Sequence, residues 1–577
     1  MDILSIAAAL TMMTSSFHAD VRLTYPGWKY KALTFSYDDA ILHDRQLVEI
    51  FNRYKMKATF NVSSKRLGYK RFLQKEELAE LYAGHEIASH GENHKCMTKI
   101  PVEQQISEGK NDRIGLEKIA GYPVTGFAYP YGAYSPVVVE NLKNQGFFYA
   151  RTVNSTGDFR LPDDFMVWHP TAHHNSKIHE IAAKYKNYNP WGGVISLCYI
   201  WGHSYEFNDQ KNWHVIENFC KELSNHPDIW YATNIEIYRY LTAYKNLKTS
   251  IDCSMLENNS AITLYLIING IKVKLQPGEK LSINKREVIR IVPRPAEKPV
   301  PKPVITPEER MIFFPDGSRK ALSFSFDDGS ATDQRLAELF RKYGYSATFN
   351  MSAHALIRNP KQLEWYRGHE IATHGLRHAT ATLTTGAQVL HDIILDRKGL
   401  ESISGEIVRG HAWPNGSTFG APSYAQQLLK DAGIVYARGT KKQENFALPT
   451  NFMCWEPTAK CIPEQLPDWS KKFAAEPDSG ELKVCTLWGH SWELRKESDW
   501  QAVEKFCADF QNKPVWKASN IAICEYLQAV NALEWSADRS IVRNPTAMTV
   551  YIGKNGKLQA LKPGEILFLR KNKNRKG

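Results

Sequence analysis

The chain repeats one long series of motifs twice. Four landmarks of its first half recur in the same order 284 to 289 residues later: Asp38, His90, His203 and Pro277 recur as Asp327, His374, His490 and Pro563. So constant a spacing indicates two whole modules with small loop differences, not a short solenoid repeat. About half of the 577 residues must therefore be enough to form one copy of the fold, and the chain forms this fold twice.

Strand-like and helix-like segments alternate along each module. In the first module the predicted strands are Lys31–Tyr37, Ala58–Val62, His85–Ser89, Gly126–Tyr129, Phe147–Thr152 and Val194–Tyr199. The predicted helices are Asp44–Tyr54, Glu76–Ala83, Val102–Ile119, Val137–Gln145 and Trp213–Leu223. This alternation favours a parallel α/β architecture, and the number of units favours a barrel over a small open sheet.

A short strand-rich segment follows each α/β module. Ala261–Ser282 and Ala547–Leu569 share an apolar run, an Asn-Gly turn and a Pro-Gly-Glu sequence, which predict β-hairpins that cap the barrel or, less favoured, bind glycans. The Pro-rich stretch 293–307 predicts an extended spacer that holds the modules apart. The expected domains are a candidate signal peptide (1–20), an α/β domain (21–245), a small β-module (246–292), a linker (293–310), a second α/β domain (311–530), and a second β-module with a basic tail (531–577).

Composition narrows the function classes. The net charge of +12 permits acidic partners, but the basic residues are scattered except in the tail Arg570–Lys576, which we interpret as a solvated tail. No apolar run is long enough to span a bilayer. The nine cysteines include no Cys-x-x-Cys, and the equivalent pairs Cys198/Cys485 and Cys220/Cys507 have apolar neighbours typical of buried thiols. We expect no nucleic-acid partner and no transmembrane span.

The N-terminus carries mixed targeting signals. Residues 3–17 have the character of a signal-peptide hydrophobic region, and Ala19 offers a cleavage point. Asp2, the lack of an N-terminal lysine and Phe17 argue against it. We expect a secreted or periplasmic location ahead of a cytoplasmic one.

Two adjacent carboxylates end the first predicted strand of each module, and two histidines four residues apart follow downstream. The matching sets are Asp38-Asp39 with His90 and His94, and Asp327-Asp328 with His374 and His378. Alone, an acidic pair is most often a strand cap, and one His-x-x-x-His is weak evidence for a metal. Histidines four apart share a helical face, and one carboxylate completes a metal-binding set with room for water and substrate. Their recurrence in the same order predicts a metal site in each module.

Both modules resemble NodB-type polysaccharide deacetylases, carbohydrate esterase family 4, from about Lys31 to Leu241 and from about Arg319 to Leu527. The resemblance implies an α/β fold of two tandem distorted (β/α) barrels, each followed by a small β-rich module, and one divalent metal per barrel, most commonly Zn²⁺. The implied metal ligands are Asp39, His90, His94, Asp328, His374 and His378. The implied catalytic residues are the bases Asp38 and Asp327 and the acids His203 and His490. Tyr131 and Asn415 match the position whose backbone amide helps to hold the oxyanion.

Both modules depart from the family at two motifs. Ala128 and Ala412 replace the arginine that pairs with the base, and the Asp-rich fourth motif is missing. We hypothesise that Arg151 and Arg438, in a shared Tyr-Ala-Arg sequence, supply this positive charge within the substrate-binding and oxyanion region; exposed arginines without a role are the alternative. Glu206 and Glu493 follow the acid histidines by three residues, and they either orient them or are surface charges.

The motifs together predict a metal-dependent hydrolase that removes acetyl groups from an N-acetylated glycan. The alternatives are an O-acetyl esterase or small-amide hydrolase on the same fold, and an inactive glycan-binding protein. His173 and His174 of the first module become Lys460 and Cys461 in the second. This change predicts different substrate preferences, or a second module kept for binding.

Overall fold

The computed structural model describes residues 17–189, 191–284, 287–291, 311–416 and 421–569. The first half below is residues 17–291, and the second half is residues 311–569. Most of the candidate signal peptide, the Pro-rich linker and the basic tail lie outside the described residues.

The described residues of each half are built on a parallel sheet of eight strands. In the first half these are Lys31–Asp38, Ala58–Val62, Glu86–Ser89, Gly126–Ala128, Tyr149–Arg151, Ala172–His173, Ser196–Gly202 and Ile229–Tyr231. In the second half they are Lys320–Asp327, Thr348–Met351, Glu370–Thr373, Gly410–Ala412, Tyr436–Arg438, Ala459–Lys460, Lys483–Gly489 and Val515–Lys517. The strand Lys31–Asp38 is central and buried along its whole length, which suits a parallel sheet covered on both faces.

One short segment in each half curls the sheet into a distorted barrel. Trp168 bridges to Arg151 on one edge strand, and four residues later Ala172–His173 pairs with the strand Ser196–Gly202 near the other edge. Trp455 and Ala459–Lys460 do the same in the second half. The predicted fold, two tandem distorted (β/α) barrels, is thereby confirmed.

Helices surround both barrels. Those of the first half are Asp44–Arg53, Leu78–Leu81, Val102–Ala120, Pro136–Asn144, Ile178–Lys186, Ser204–Asp209, His214–Leu223 and Asn234–Lys245. Those of the second half are Asp333–Lys342, Ala353–Arg358, Gly386–Ser404, Ser423–Asp431, Leu466–Ala475, Glu497–Asp509 and Asn520–Asn531. Among the described residues no helix is both long and apolar enough to cross a membrane. All nine cysteines are free, and the two predicted equivalent pairs are buried.

A small β-module packs on each barrel. Its strands in the first half are Val21–Thr24, Lys248–Thr249, Met255–Glu257, Leu264–Ile268, Ile271–Leu275, Lys280–Ile283 and Val288–Ile291. In the second half they are Ile312–Phe313, Glu534–Trp535, Ile541–Arg543, Val550–Lys554, Lys557–Leu561 and Ile566–Phe568. Val21–Thr24 precedes the barrel in sequence yet pairs with Leu264–Ile268, so the chain enters the barrel from its β-module.

The two halves pack directly against each other. Ser260 and Thr546 form an antiparallel bridge, and Arg113 of the first half donates a hydrogen bond to the Trp535 carbonyl of the second at 2.8 Å. The expectation of two separated modules is therefore wrong. The composition of a linker indicates how stiff the linker is. It does not indicate whether the domains on either side of it pack against each other.

Candidate active site

The carboxylate pair of each half lies at the carboxyl end of the central barrel strand. Asp38 is the last residue of its strand, and Asp39 follows in the left-handed backbone region with φ of 83°. Asp328 repeats this conformation with φ of 81°. Non-glycine residues rarely adopt such angles, and residues that do so concentrate at functional sites. The turn brings both carboxylates of a pair to the same group of histidines.

The paired histidines lie on a turn, not on a helix. His90 and His94 follow the strand Glu86–Ser89, and Gly91 and His94 have φ of 76° and 57°, which no α-helix accommodates. His374 and His378 repeat the turn. The expectation of a shared helical face is therefore wrong, although the turn still brings the two rings to within 4.7 Å of each other in both halves.

Each half brings together one carboxylate and two imidazoles. The ligand atoms of each set lie within 4.8 Å of one another: Asp39, His90 and His94 in the first half, and Asp328, His374 and His378 in the second. His90 Nδ1 bonds to the Ala128 carbonyl at 2.8 Å, and His374 Nδ1 bonds to the Ala412 carbonyl at 2.8 Å. Each ring thus keeps Nε2 for a ligand, an orientation typical of metal-binding histidines. The donor set fits a divalent cation such as Zn²⁺.

The predicted base Asp38 is buried and held by a buried arginine. Arg151 Nη2 lies 2.5 Å from Asp38 Oδ2, and Asn61 donates to Oδ1 at 2.8 Å. The Arg151 guanidinium also lies over the Trp201 ring, 4.5 Å from its centroid. Burial by itself raises the pKa of Asp38, but the charges of Arg151, His90 and His203 outweigh it and lower the pKa to about 2. Asp38 is therefore ionised at neutral pH.

The second half repeats this arrangement around Asp327. Arg438 is fully buried and donates to Asp327, and Asn350 donates to the same carboxylate at 2.9 Å. Neither Arg151 nor Arg438 is exposed, which excludes the reading of surface arginines without a role. Their burial also corrects the grouping of both with the substrate-binding and oxyanion residues, because their contacts are to the carboxylate and the core.

The predicted acid His203 lies across from the base and beside Glu206. Its Nε2 is 3.9 Å from Asp38 Oδ2, and its Nδ1 is 3.0 Å from Glu206 Oε1. Burial lowers the pKa of His203, but the hydrogen bond to Glu206 and the nearby carboxylates more than offset this, so the pKa is raised. Glu206 also contacts His173 at 3.2 Å and His174 at 2.7 Å. The Glu206 carboxylate thus contacts three imidazoles, two of which, His173 and His174, the sequence marked only as differing between the halves.

The acid position of the second half is arranged differently. His490 Nε2 is closest to Asp328 Oδ2, at 3.8 Å, and its Nδ1 lies 3.4 Å from Glu493. Glu493 instead forms its shortest contact, 2.6 Å, with Lys460, the residue equivalent to His173. The Asp328 side chain is 36% exposed, whereas that of Asp39 is 11% exposed. The second site is therefore the more open of the two.

Three further residues line the rims. Tyr131 and Asn415 both have φ of 59°, and the Tyr131 ring packs 4.7 Å from that of His94. Their part in holding an oxyanion stays a prediction. Arg66, which the sequence did not single out, donates to Asp39 Oδ1 at 2.8 Å. Ala355 stands at the equivalent position of the second half, so no repeated motif marks Arg66.

Comparison with known proteins agrees with this geometry. Residues 27–150 and 315–437 both match the polysaccharide deacetylase family model. Each half of the chain therefore contains a region that matches a polysaccharide deacetylase domain, as the sequence predicted.

Individual relatives are distant. The peptidoglycan-N-acetylmuramic acid deacetylase PdaC of Bacillus subtilis is 27% identical over 118 residues, which are 20% of this chain and 25% of that protein. A family 4 carbohydrate esterase from Streptomyces lividans, solved with acetate, is 14% identical with a TM-score of 0.27, covering 35% of this chain and 92% of its own. The PuuE allantoinase is 17% identical with a TM-score of 0.33, covering 39% and 96%.

Proposed function

We propose that each half is a metal-dependent hydrolase that removes acetyl groups from N-acetylated sugars of a glycan. One observation supports this most: a carboxylate and two imidazoles converge within 4.8 Å, beside a second carboxylate that is buried against an arginine. The match to the polysaccharide deacetylase family model supports a hydrolase of carbon–nitrogen bonds. The glycan itself and the identity of the metal belong to the proposal.

The residues of the first half divide the work as follows. Asp39, His90 and His94 would hold the cation, which when bound polarises the acyl oxygen and acidifies a water molecule. Asp38, kept ionised by Arg151, accepts the proton from the attacking water. His203, whose pKa is raised, donates a proton to the departing nitrogen. Asp327, Asp328, His374, His378 and His490 take the matching roles in the second half.

The test removes one base at a time from the full chain. We expect Asp38→Asn and Asp327→Asn each to keep its metal and to lose about 10²- to 10⁴-fold in the acetate release of its own half. The double variant should release no acetate above background. Metal content is measured by elemental analysis, and acetate release is measured on N-acetyl and O-acetyl glycans and on small amides.

A matched control is Asp209→Asn, an exposed acid on the helix that follows His203. It should leave both metal content and rate unchanged. Full activity in the double variant would show that these carboxylates are not the bases. If acetate is released only from O-acetyl esters or only from small amides, the proposed active site stands but the proposed substrate is wrong.

A further inference from the structure

The contacts between the two halves are related by a pseudo-twofold axis. Ser260 and Thr546, which are equivalent in the repeat, bridge to each other. On either side of this bridge the Ala261 amide donates to the Pro545 carbonyl at 2.9 Å, and the Ala547 amide donates to the Asn259 carbonyl at 3.1 Å. Since 259, 260 and 261 are equivalent to 545, 546 and 547, the axis passes between Ser260 and Thr546. Such self-complementary contact is the signature of a twofold interface.

A second set of contacts obeys the same axis. Glu117, on the long helix Val102–Ala120, accepts from the Ala537 amide of the second half at 2.8 Å. Its equivalent Glu401 accepts from the Ile251 amide of the first half at 2.9 Å. The neighbouring arginines, Arg113 and Arg397, donate to the equivalent carbonyls of Trp535 and Thr249. All four side chains are buried, so each half supplies hydrogen bonds that the other half needs.

Three charged positions break the symmetry in a systematic way. The first half carries Arg239, Lys248 and Glu257, and the equivalent residues of the second half are Glu525, Glu534 and Arg543. The sign of the charge is thus inverted at every one of the three positions.

The inverted charges pair across the interface. Arg239 lies 2.7 Å from Glu534, and Lys248 lies 2.8 Å from Glu525. Each half also contains one ion pair among these residues. Lys248 lies 3.0 Å from Glu257 in the first half, and Arg543 lies 3.0 Å from Glu534 in the second. The side chains of Lys248 and Glu534 are only 6% and 3% exposed, so solvent screens these pairs weakly.

We propose that this surface is a built interface that makes each half select the unlike half as its partner. Two first halves in the same arrangement would place Arg239 against Lys248, and two second halves would place Glu525 against Glu534. Both are like-charge contacts between a buried side chain and a partly buried one, which disfavour the wrong pair. The symmetric hydrogen bonds stabilise the interface, and the inverted charges determine which two halves form it. This inference does not depend on the proposed enzymatic activity.

The test inverts the charges in the full chain. One variant carries Arg239→Glu, Lys248→Glu and Glu257→Lys, a second carries Glu525→Arg, Glu534→Lys and Arg543→Glu, and a third carries all six substitutions. We expect each triple variant to lower Tm by about 5–10 °C, because buried like charges then face each other. Amide hydrogen exchange at Ala261 and Ala537 should quicken by about tenfold or more. The six-residue variant restores the four opposite-charge contacts among these residues and should recover most of both losses. It leaves Glu257→Lys beside Lys280 and Glu525→Arg beside Arg409, and each of these contacts lies within one half and not across the interface.

A matched control reverses the pair Arg53–Glu217, which lies 2.6 Å apart within the first half. It should leave exchange at the interface amides unchanged. A triple variant that fails to fold still supports the proposal if the six-residue variant folds. Triple variants with unchanged Tm and exchange, or a six-residue variant as impaired as the triples, would overturn it.

Discussion

At the scale of single residues, each site has a buried arginine beside its predicted base. Arg151 reaches Asp38 from the fifth barrel strand in sequence, Tyr149–Arg151, and Arg438 reaches Asp327 from the equivalent strand. Ala128 and Ala412 occupy the positions at which the resemblance implied an arginine. In both halves the positive charge comes from the strand next to the one that carries this alanine.

Removal of Arg151 tests its role as a positioning residue. In the Asp327→Asn background, which leaves only the first half active, we expect Arg151→Ala to lower kcat by about 10- to 100-fold with KM little changed. Metal content should be unchanged, because Arg151 contacts Asp38 and none of the predicted ligands. An unaffected kcat would contradict this role. Arg438→Ala in the Asp38→Asn background is the matching experiment in the second half.

The pKa of His203 yields a prediction with a definite sign. Glu206 raises that pKa, and only protonated His203 can donate to the leaving nitrogen, so activity is lost as pH rises through this value. Glu206→Gln removes the negative charge and lowers the pKa. We expect the basic limb of the kcat/KM–pH profile to move to lower pH in the Asp327→Asn background. If the basic limb of the profile does not move, His203 is not the group that titrates there.

At the scale of single elements, the end of the strand Ser196–Gly202 differs between the halves. A Cβ atom on Gly202 would lie 2.1 Å from His174 Nδ1, whereas a Cβ atom on the equivalent Gly489 would meet nothing closer than Phe326 at 3.5 Å. The difference follows from His174, which is Cys461 in the second half.

Gly202→Ala and Gly489→Ala therefore form a matched pair. We expect Gly202→Ala to destabilise the protein by about 1–3 kcal/mol, the usual cost of overpacking, and to displace the adjacent His203. The acetate release of the first half should fall with it. Gly489→Ala should change neither Tm nor rate. Thermal unfolding and half-specific kinetics measure both, and equal effects of the two substitutions would contradict the packing argument.

Several of the longer elements follow from the sequence, and Asp44–Arg53 has the clearest hydrophobic period. The helices Ile178–Lys186 and Asn234–Lys245 were not predicted. Asp44–Arg53, Ala58–Val62 and Val102–Ala120 lie where the pattern predicts them. Ala172–His173 was missed, since a two-residue strand has no period of its own and exists only through its neighbours. The prediction that His90 and His94 share a helix is wrong for a related reason. A spacing of four residues fits both a helix and this turn, and only the backbone angles of Gly91 and His94 distinguish the two.

At the scale of the whole molecule, the internal repeat is the feature of the sequence that best predicts the fold and the candidate sites. Motifs that occur twice marked the carboxylate and histidine sets of both halves before any geometry was known. Residues that differ between the halves had no such signal, which is why Arg66 and the pairing of Glu206 with His173 were found only in the structure. The interface escaped for the same reason, because its decisive residues carry opposite charges at equivalent positions.

The covalent link between the two halves fixes a stoichiometry. Because the halves share one chain, every molecule carries one site whose Asp39 side chain is 11% exposed and one site whose Asp328 side chain is 36% exposed. A cell that makes this chain cannot adjust the ratio of the two pockets through expression or subunit exchange. The two sites are therefore always present in equal number.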